Sequence, residues 1–359
     1  MDFRPDHWPE PGLRAFTKRV LVVVLVAGLT LAAWRLADVA VLLFAAVLMA
    51  VGLRAGSSGL TRVTGLDDTV GLGVVVLLFV AVFGVAFWFL GTVVADQSDE
   101  LVQQVPAGLT VAISRLQAHP YGRYALEQAR GIDAAGATGW AASTLAVFAR
   151  ALARGLGYAI LAFFVAIYLS AQPLRYRRLC IRLVPPGTRV WVERLFDEAA
   201  SNLRRWLLGQ LIVMATVGTL SGLGLWALGI EAPVALGLLG GLLTFIPYVG
   251  AVLAAVPATL IALTQGPQYA VWVLLMYVAV HVVEGNFITP LVQEEATSLP
   301  PVVSLLSTVA FSILFGPSAV LLAAPLTLFL MVAVEVLYVE QVLGEPSALP
   351  GVHTTDPVR

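Results

Sequence analysis

The feature that most constrains this chain is a long stretch without acidic or basic side chains. No Asp, Glu, Lys or Arg occurs between Ala232 and Val283, yet the stretch contains Ile-Pro-Tyr-Val-Gly at residues 246–250. Proline and glycine interrupt helices, so this motif predicts a helix break inside an apolar segment. At membrane depth an unpaired peptide group costs several kcal/mol, so a break there lies within protein or lines a wet cavity.

The composition of the whole chain indicates a membrane protein. Of its 359 residues, 59% are hydrophobic and 12% are charged, and the mean hydropathy is +0.90. Soluble domains average about 45–50% apolar and about 25% charged residues. We therefore predict an all-α, polytopic membrane protein whose main partner is the lipid bilayer. The formal net charge of −1, without a basic stripe, argues against a nucleic-acid partner.

Apolar runs bounded by charge predict how the chain is organised. The first two spans are expected near Thr17–Leu36 and Val39–Leu53, with a tight turn between them that holds Arg35 and Asp38. The predicted regions are a three-helix membrane region at 1–95, an extracytoplasmic amphipathic segment at 96–140, a fourth span within 141–171, a cytoplasmic linker helix at 172–205, a transport core at 206–340 and a flexible tail at 341–359.

Basic residues predict the orientation of the chain. They are concentrated in the N-terminal arm and in segment 172–205, whereas segment 96–140 has more acidic than basic residues. By the positive-inside rule the N-terminus and the linker are cytoplasmic. The linker also carries an apolar stripe with helical spacing, formed by Val192, Leu195, Phe196 and Ala199.

An internal repeat is predicted within the core. Residues 233–260 align with residues 301–328, and each copy has a break, the second of which contains Gly316 and Pro317. Two interrupted apolar segments at corresponding positions are typical of a transport site, whereas two kinks that serve packing alone are the alternative. As one helix, residues 232–264 would measure about 50 Å against a hydrocarbon core of about 30 Å. This length favours a hairpin over a single broken span, and both remain open.

Polar side chains near the breaks are candidate site residues. His281 and Glu284 lie three residues apart on one helix face, where they can pair and hold a proton or a cation. The alternative is an interfacial pair that ends the helix. Asn286 and Pro290 are expected to shape the break that follows. Gln210 is the deepest polar candidate in the preceding span.

Signatures of other function classes are absent from the sequence. Lys18 is the only lysine and lies in the N-terminal arm, so no Walker lysine and no ATPase is predicted. The four histidines are too dispersed for a local metal motif. We therefore expect no cofactor, no metal and no catalytic residues.

Three motifs together resemble the autoinducer-2 exporter family of bacterial permease-like membrane proteins. They are the stretch around Ile-Pro-Tyr-Val-Gly, the stretch His-Val-Val-Glu-Gly-Asn-Phe-Ile-Thr-Pro at 281–290, and the second broken segment. The resemblance implies an inner-membrane protein of about eight spans that exports small solutes and forms homo-oligomers, with a pentamer as the expected form. Some members resemble cation/proton antiporters. The matching motif residues here are Pro247, Tyr248, Gly250, Glu284, Asn286 and Pro290.

Two functions remain open from the sequence. The first is a secondary transporter or exporter of a small polar solute or cation, coupled to protons or cations through Glu284 and His281. The second is a non-transporting membrane scaffold that organises partner proteins through residues 96–140 and 172–205.

Overall fold

The computed structural model describes residues 13–84, 157–246, 249–293 and 301–346, together with residues 88, 114, 118 and 155. Within these ranges the chain forms helices and no strand, which confirms the predicted all-α class. Nearly all of the predicted segment 96–140 and most of the predicted tail lie outside the described residues.

The helices begin and end as follows. In chain order they are α1 (Leu13–Thr64), α2 (Asp68–Gly84), α3 (Gly157–Ala171), α4 (Pro173–Arg182), α5 (Arg189–Ala227), α6 (Pro233–Leu243), α7 (Val249–Gln265), α8 (Pro267–Val283), α9 (Thr289–Gln293), α10 (Pro301–Phe315) and α11 (Ala323–Val334). Short 3-10 turns occupy Pro186–Thr188 and Pro317–Leu322, and wider π-helical turns occupy Glu284–Ile288 and Glu335–Leu343. Proline begins α4, α6, α8 and α10, at the first helical position, where its missing N–H removes no helical hydrogen bond.

Helix α1 differs from the prediction. Its backbone stays helical over 52 residues, so the predicted tight turn at Arg35 and Asp38 is wrong. No proline or glycine lies between residues 29 and 51. Because two charged side chains do not by themselves end a helix, the local sequence contains nothing that would stop α1.

Several of these helices suit a bilayer. Among the described residues, four helical stretches are long and apolar enough to cross a membrane: Asp38–Thr64, Pro186–Ala227, Pro267–Val292 and Ala319–Leu343. Helices α3 and α4 would add a fifth if their bend of 90° lay within one span. The apolar helices α2, α6, α7 and α10 are shorter. The total of about eight spans therefore stays a prediction.

Helix α5 lies at the centre of the packing. Its N-terminal half buries Leu195 and Ala199, which belong to the predicted apolar stripe, together with Leu203 and Trp206. These side chains pack against α1 and α11 in one cluster, whose other buried members are Leu48, Ala324, Leu328, Val332 and Val336. Residues 189–227, predicted as the end of a linker helix followed by a span, are thus one continuous helix that packs against α1 and α11.

The C-terminal half of α5 contacts α6 through glycines. Gly218 and Gly222 of α5 face Gly237 and Gly241 of α6. A Cβ atom at Gly237 would lie 2.6 Å from the Cα atom of Gly222, and one at Gly241 would lie 2.7 Å from the carbonyl oxygen of Met214. Only glycine permits this backbone approach, which is common between membrane helices. The contact holds α6 firmly along α5.

Candidate functional site

The first broken segment folds back on itself. At its open end, the side-chain amide of Gln265 donates a hydrogen bond to the carbonyl oxygen of Gly229, at 3.3 Å. Near its closed end, a Cβ atom at Gly250 would overlap the carbonyl group of Leu243. Both ends of α6 and α7 therefore meet, and the two helices form a hairpin rather than a single broken span. Since α6 has only 11 residues, or about 17 Å, it reaches only partway through a hydrocarbon core of about 30 Å.

The tip of this hairpin lies between Leu243 and Val249. Pro247 and Tyr248, two of the predicted site residues, lie outside the described residues. The backbone N–H groups of Phe245 and Ile246 donate to carbonyl groups of the last turn of α6, at 3.2 and 2.9 Å. These tight bonds satisfy some of the carbonyl groups that every helix leaves unpaired at its C-terminal end.

Gln210 supplies a further partner for the tip. Its side-chain amide donates to the carbonyl oxygen of Thr244 at 3.0 Å, and both residues are buried. The hydroxyl of Thr244 donates in turn to the carbonyl oxygen of Gly240 at 2.8 Å. The sequence singled out Gln210 for its depth, and the structure brings it to the break. Sequence analysis did not identify Thr244 as a site residue, because a single threonine next to a break forms no recognisable sequence motif.

Gly250 has a steric role at the tip. It is buried at the start of α7, against the end of α6. Any larger residue would press its Cβ atom into the Leu243 carbonyl, so this glycine allows the hairpin to turn tightly. The structure thus gives one motif residue a concrete function in forming the break.

The polar element at 281–290 lies inside a helix. Helix α8 continues through the π-helical turn into α9, and Pro267–Val292 forms one 26-residue stretch. The alternative interpretation, in which His281 and Glu284 end the helix, is therefore wrong, because the helical stretch continues beyond both residues. Asn286 is exposed and donates to the carbonyl oxygen of Val282 at 2.8 Å, while Pro290 lies in α9.

Helix α8 packs antiparallel to α5. A Cβ atom at Gly224 would touch the side chain of Met276, and Val280 lies in one buried cluster with Val217 and Val213. One turn further along α8 is Glu284, and about one turn beyond Val213 on α5 is Gln210. Glu284 therefore lies within about one or two helical turns of the depth of the hairpin tip.

Three polar groups between α7 and α8 have no hydrogen-bond partner. They are Nδ1 of His281, the hydroxyl of Tyr277 and the hydroxyl of Thr259, all buried. The same residues line a mostly apolar groove of about 460 Å³ between the two helices. No hydrogen bond or ion pair joins His281 to Glu284, although both side chains are described and share a helix face. Tyr277 lies one turn before His281, so helical spacing could have identified it.

The break in the second segment, residues 301–328, begins at Gly316. Its φ of +81° is a conformation that favours glycine, and it separates α10 from the following 3-10 turn. Pro317 is the first residue of that turn; its side chain lies outside the described residues. Both predicted breaks are therefore present in the backbone, and each has a glycine where the chain changes direction.

The two breaks meet at one hydrophobic cluster. Phe245, in the first break, packs against the cluster that contains Trp206, and the two rings meet edge to face with centroids 5.8 Å apart. Leu322, which ends the 3-10 turn of the second break, packs against the same cluster. The candidate site is therefore the region where the hairpin tip, the second break and α5 converge.

The sequence that forms this arrangement matches the model of a known protein family. The model described as AI-2E family transporter matches residues 20–338, which include every helix of the candidate site. The chain belongs to the AI-2E transporter family. The resemblance seen in the sequence motifs is thereby confirmed over nearly the whole chain of this AI-2E family member.

Similar proteins carry transport names. The chain is 24% identical over 330 residues to "Putative transport protein YhhT" of Escherichia coli (strain K12), covering 89% of this chain and 90% of that one. It is 29% identical over 169 residues to "Putative transport protein YrrI" of Bacillus subtilis (strain 168), covering 47% and 48% of the two chains. It is 27% identical over 177 residues to "AI-2 transport protein TqsA" of Escherichia coli (strain K12), covering 48% of each. The matches with YrrI and TqsA thus span about half the length of those relatives.

Proposed function

We propose that this AI-2E family member is a secondary transporter that moves a small polar solute or a cation across the bacterial inner membrane. Its pathway runs between the hairpin tip and the second break, and it performs no covalent chemistry. The observation that carries the proposal is the buried contact between Gln210 and Thr244 at the end of a half-length helix. Irregular backbone at membrane depth is characteristic of transporter binding sites.

The backbone at the tip supplies the polar groups of the pathway. The last carbonyl groups of α6 and the first N–H groups of α7 face the same break. The negative end of the α6 dipole and the positive end of the α7 dipole therefore both lie there. The Thr244 carbonyl accepts only one hydrogen bond from Gln210 among the contacts described, and a carbonyl oxygen has two lone pairs. A solute donor or a cation can use the second.

The ionisable groups couple transport to protons or cations. Glu284 is half-buried within a span at nearly the depth of the tip, and an ionisable residue within a membrane span is by default a candidate functional residue. Nδ1 of His281 lies one turn away without a hydrogen-bond partner. In our proposal Glu284 binds the coupling proton or cation, and Nδ1 of His281 gains a partner as the hairpin and α8 move.

Orientation and assembly complete the proposal. The N-terminus and segment 172–205 face the cytoplasm, in agreement with the basic residues of that segment. The protein works as a homo-oligomer, with a pentamer as the expected form, and exposed apolar side chains on the outer helices are compatible with both lipid and subunit contacts.

Flux measurements in proteoliposomes test the function. Vesicles that contain a pH-sensitive dye receive inward or outward gradients of Na⁺, K⁺ or Li⁺, and labelled AI-2 serves as a further probe because TqsA is named for it. We expect Glu284→Gln to abolish flux. The matched control is Glu345→Gln, an exposed carboxylate beyond the last helical turn, which should keep the wild-type rate.

Two results would contradict the proposal. Wild-type flux in Glu284→Gln would remove this carboxylate from coupling. Absence of flux in the intact protein under every gradient, together with a cellular phenotype that survives Glu284→Gln, would instead favour the scaffold.

A further inference from the structure

Helix α4 differs in character from the helices around it. It follows α3 after the single residue Gln172, and the two helix axes differ by 90°. With 10 residues, or about 15 Å, α4 is too short to cross a hydrocarbon core of about 30 Å. If α3 crosses the bilayer, α4 therefore runs along its surface, at the level where the span ends.

The exposed surface of α4 has two adjoining stripes. Arg175, Arg178 and Arg182 follow i, i+3, i+7 spacing, so they share one face, and all three are exposed. Leu179 is 51% exposed, and Leu183, at the C-cap, is 87% exposed; both lie on the neighbouring face. Neither leucine belongs to a hydrophobic cluster of the described residues.

A different face of α4 is fixed to α5. The guanidinium of Arg177 donates two hydrogen bonds to the carboxylate of Asp197, at 2.5 and 2.7 Å, and a third to the carbonyl oxygen of Glu193, at 2.9 Å. Ile181 is buried on the same side. The hydrogen bond with Asp197 raises the pKa of Arg177 above its ordinary value, so the guanidinium stays charged. This attachment sets which stripes face away from the protein.

We propose that α4 is an interfacial helix that binds anionic phospholipids. Its arginine stripe binds the phosphate groups of the lipid headgroups, and its leucine stripe inserts among the upper acyl chains. The arrangement matches that of interfacial amphipathic helices, in which basic residues flank an apolar face that enters the headgroup boundary. Long arginine side chains reach the phosphate level from such a position.

The position of α4 favours lipid over a soluble partner. One residue separates it from the end of α3, so its leucines lie next to the end of that helix. The negative surface potential of a cytoplasmic leaflet attracts basic segments near a span, by about fivefold in partitioning for each arginine. The leaflet follows from the proposed orientation of segment 172–205, and lipid binding by α4 does not depend on what the protein transports.

Spin labelling of the intact chain tests this inference. Cys180 is the only cysteine and lies on α4, so a Cys180→Ser background permits a single label at Leu179→Cys. The protein is reconstituted into vesicles of phosphatidylcholine alone, or of phosphatidylcholine with phosphatidylglycerol. The depth of the label follows from its relative accessibility to oxygen and to a water-soluble nickel chelate.

Charge variants separate lipid binding from a structural effect. The triple variant Arg175→Gln, Arg178→Gln, Arg182→Gln removes the stripe, and the matched control replaces the same three residues with Lys, which keeps the charge. We expect the label to be oxygen-accessible and to move deeper with phosphatidylglycerol in the parent and the Lys control. The Gln variant should lose this dependence on phosphatidylglycerol, and its preference for co-purified phosphatidylglycerol should fall about fivefold per arginine removed.

Four outcomes would overturn the proposal. The label could be accessible to the nickel chelate in both kinds of vesicle, which would place α4 in water. The dependence on phosphatidylglycerol could persist in the Gln variant, or it could be absent from the parent protein. Inorganic phosphate added to phosphatidylcholine vesicles should not reproduce the lipid effect, and if it does, the arginines bind free phosphate instead.

Discussion

Replacing Gln210 with Met should destabilise the hairpin tip. The substitution keeps the volume of the side chain but removes the only described donor to the Thr244 carbonyl, 3.0 Å away in a buried site. Leaving one buried carbonyl without its partner costs about 1–3 kcal/mol, and hydrogen bonds between membrane helices fall at the lower end of that range. We therefore expect a loss of about 1–2 kcal/mol in the free energy of unfolding, or about 5- to 30-fold in the folding equilibrium.

The chain contains a matched control for this experiment. Gln265 also donates its side-chain amide to a backbone carbonyl, that of Gly229, at the other end of the same hairpin, but this bond is exposed and Gln265 is only half-buried. Gln265→Met should change the free energy of unfolding by no more than about 0.5 kcal/mol. Reversible unfolding in mixed micelles, followed by tryptophan fluorescence, measures both variants. Equal effects at the two positions would refute the reasoning, because the larger loss expected for Gln210→Met rests on the burial of Gln210.

Two further predictions concern helix packing and a buried ion pair. Gly237→Ala should lower the free energy of unfolding by about 1–3 kcal/mol, because its Cβ atom would lie 2.6 Å from the backbone of Gly222. Gly73→Ala, in α2 with nothing within 4 Å, should be neutral or slightly stabilising in the same assay, and the reverse order would contradict the glycine contact. Arg194 pairs with Glu340 at 2.7 Å, with both side chains largely buried, so Arg194→Met should cost about 3–5 kcal/mol. The double variant Arg194→Met, Glu340→Met should recover most of that loss, and a double-mutant cycle without coupling would show that the pair does not act as a unit.

The helical membrane class and the position of the breaks followed from local patterns. Proline and glycine close together inside an apolar run predict an interruption, and the structure has its breaks between Leu243 and Val249 and at Gly316, whereas the lone Pro257 stays within α7. The apolar stripe at Leu195 and Ala199 was equally visible, because helical periodicity is a property of neighbouring residues. The turn predicted between the first two spans is wrong, because the charged residues Arg35 and Asp38 do not interrupt a helix as proline or glycine would.

Long-range pairing decided the remaining features. Chain length only favoured the hairpin, whereas the bond between Gln265 and Gly229 defines it. The contact of Gln210 with Thr244 and the pairing of Arg194 with Glu340 join residues far apart in the chain, and such pairs leave no periodic signal in a single sequence. A sequence therefore determines where its helices are apolar and where they are interrupted. Which interruptions meet depends on how the helices pack against α5, because burial and hydrogen bonding are properties of the packed set rather than of any one segment.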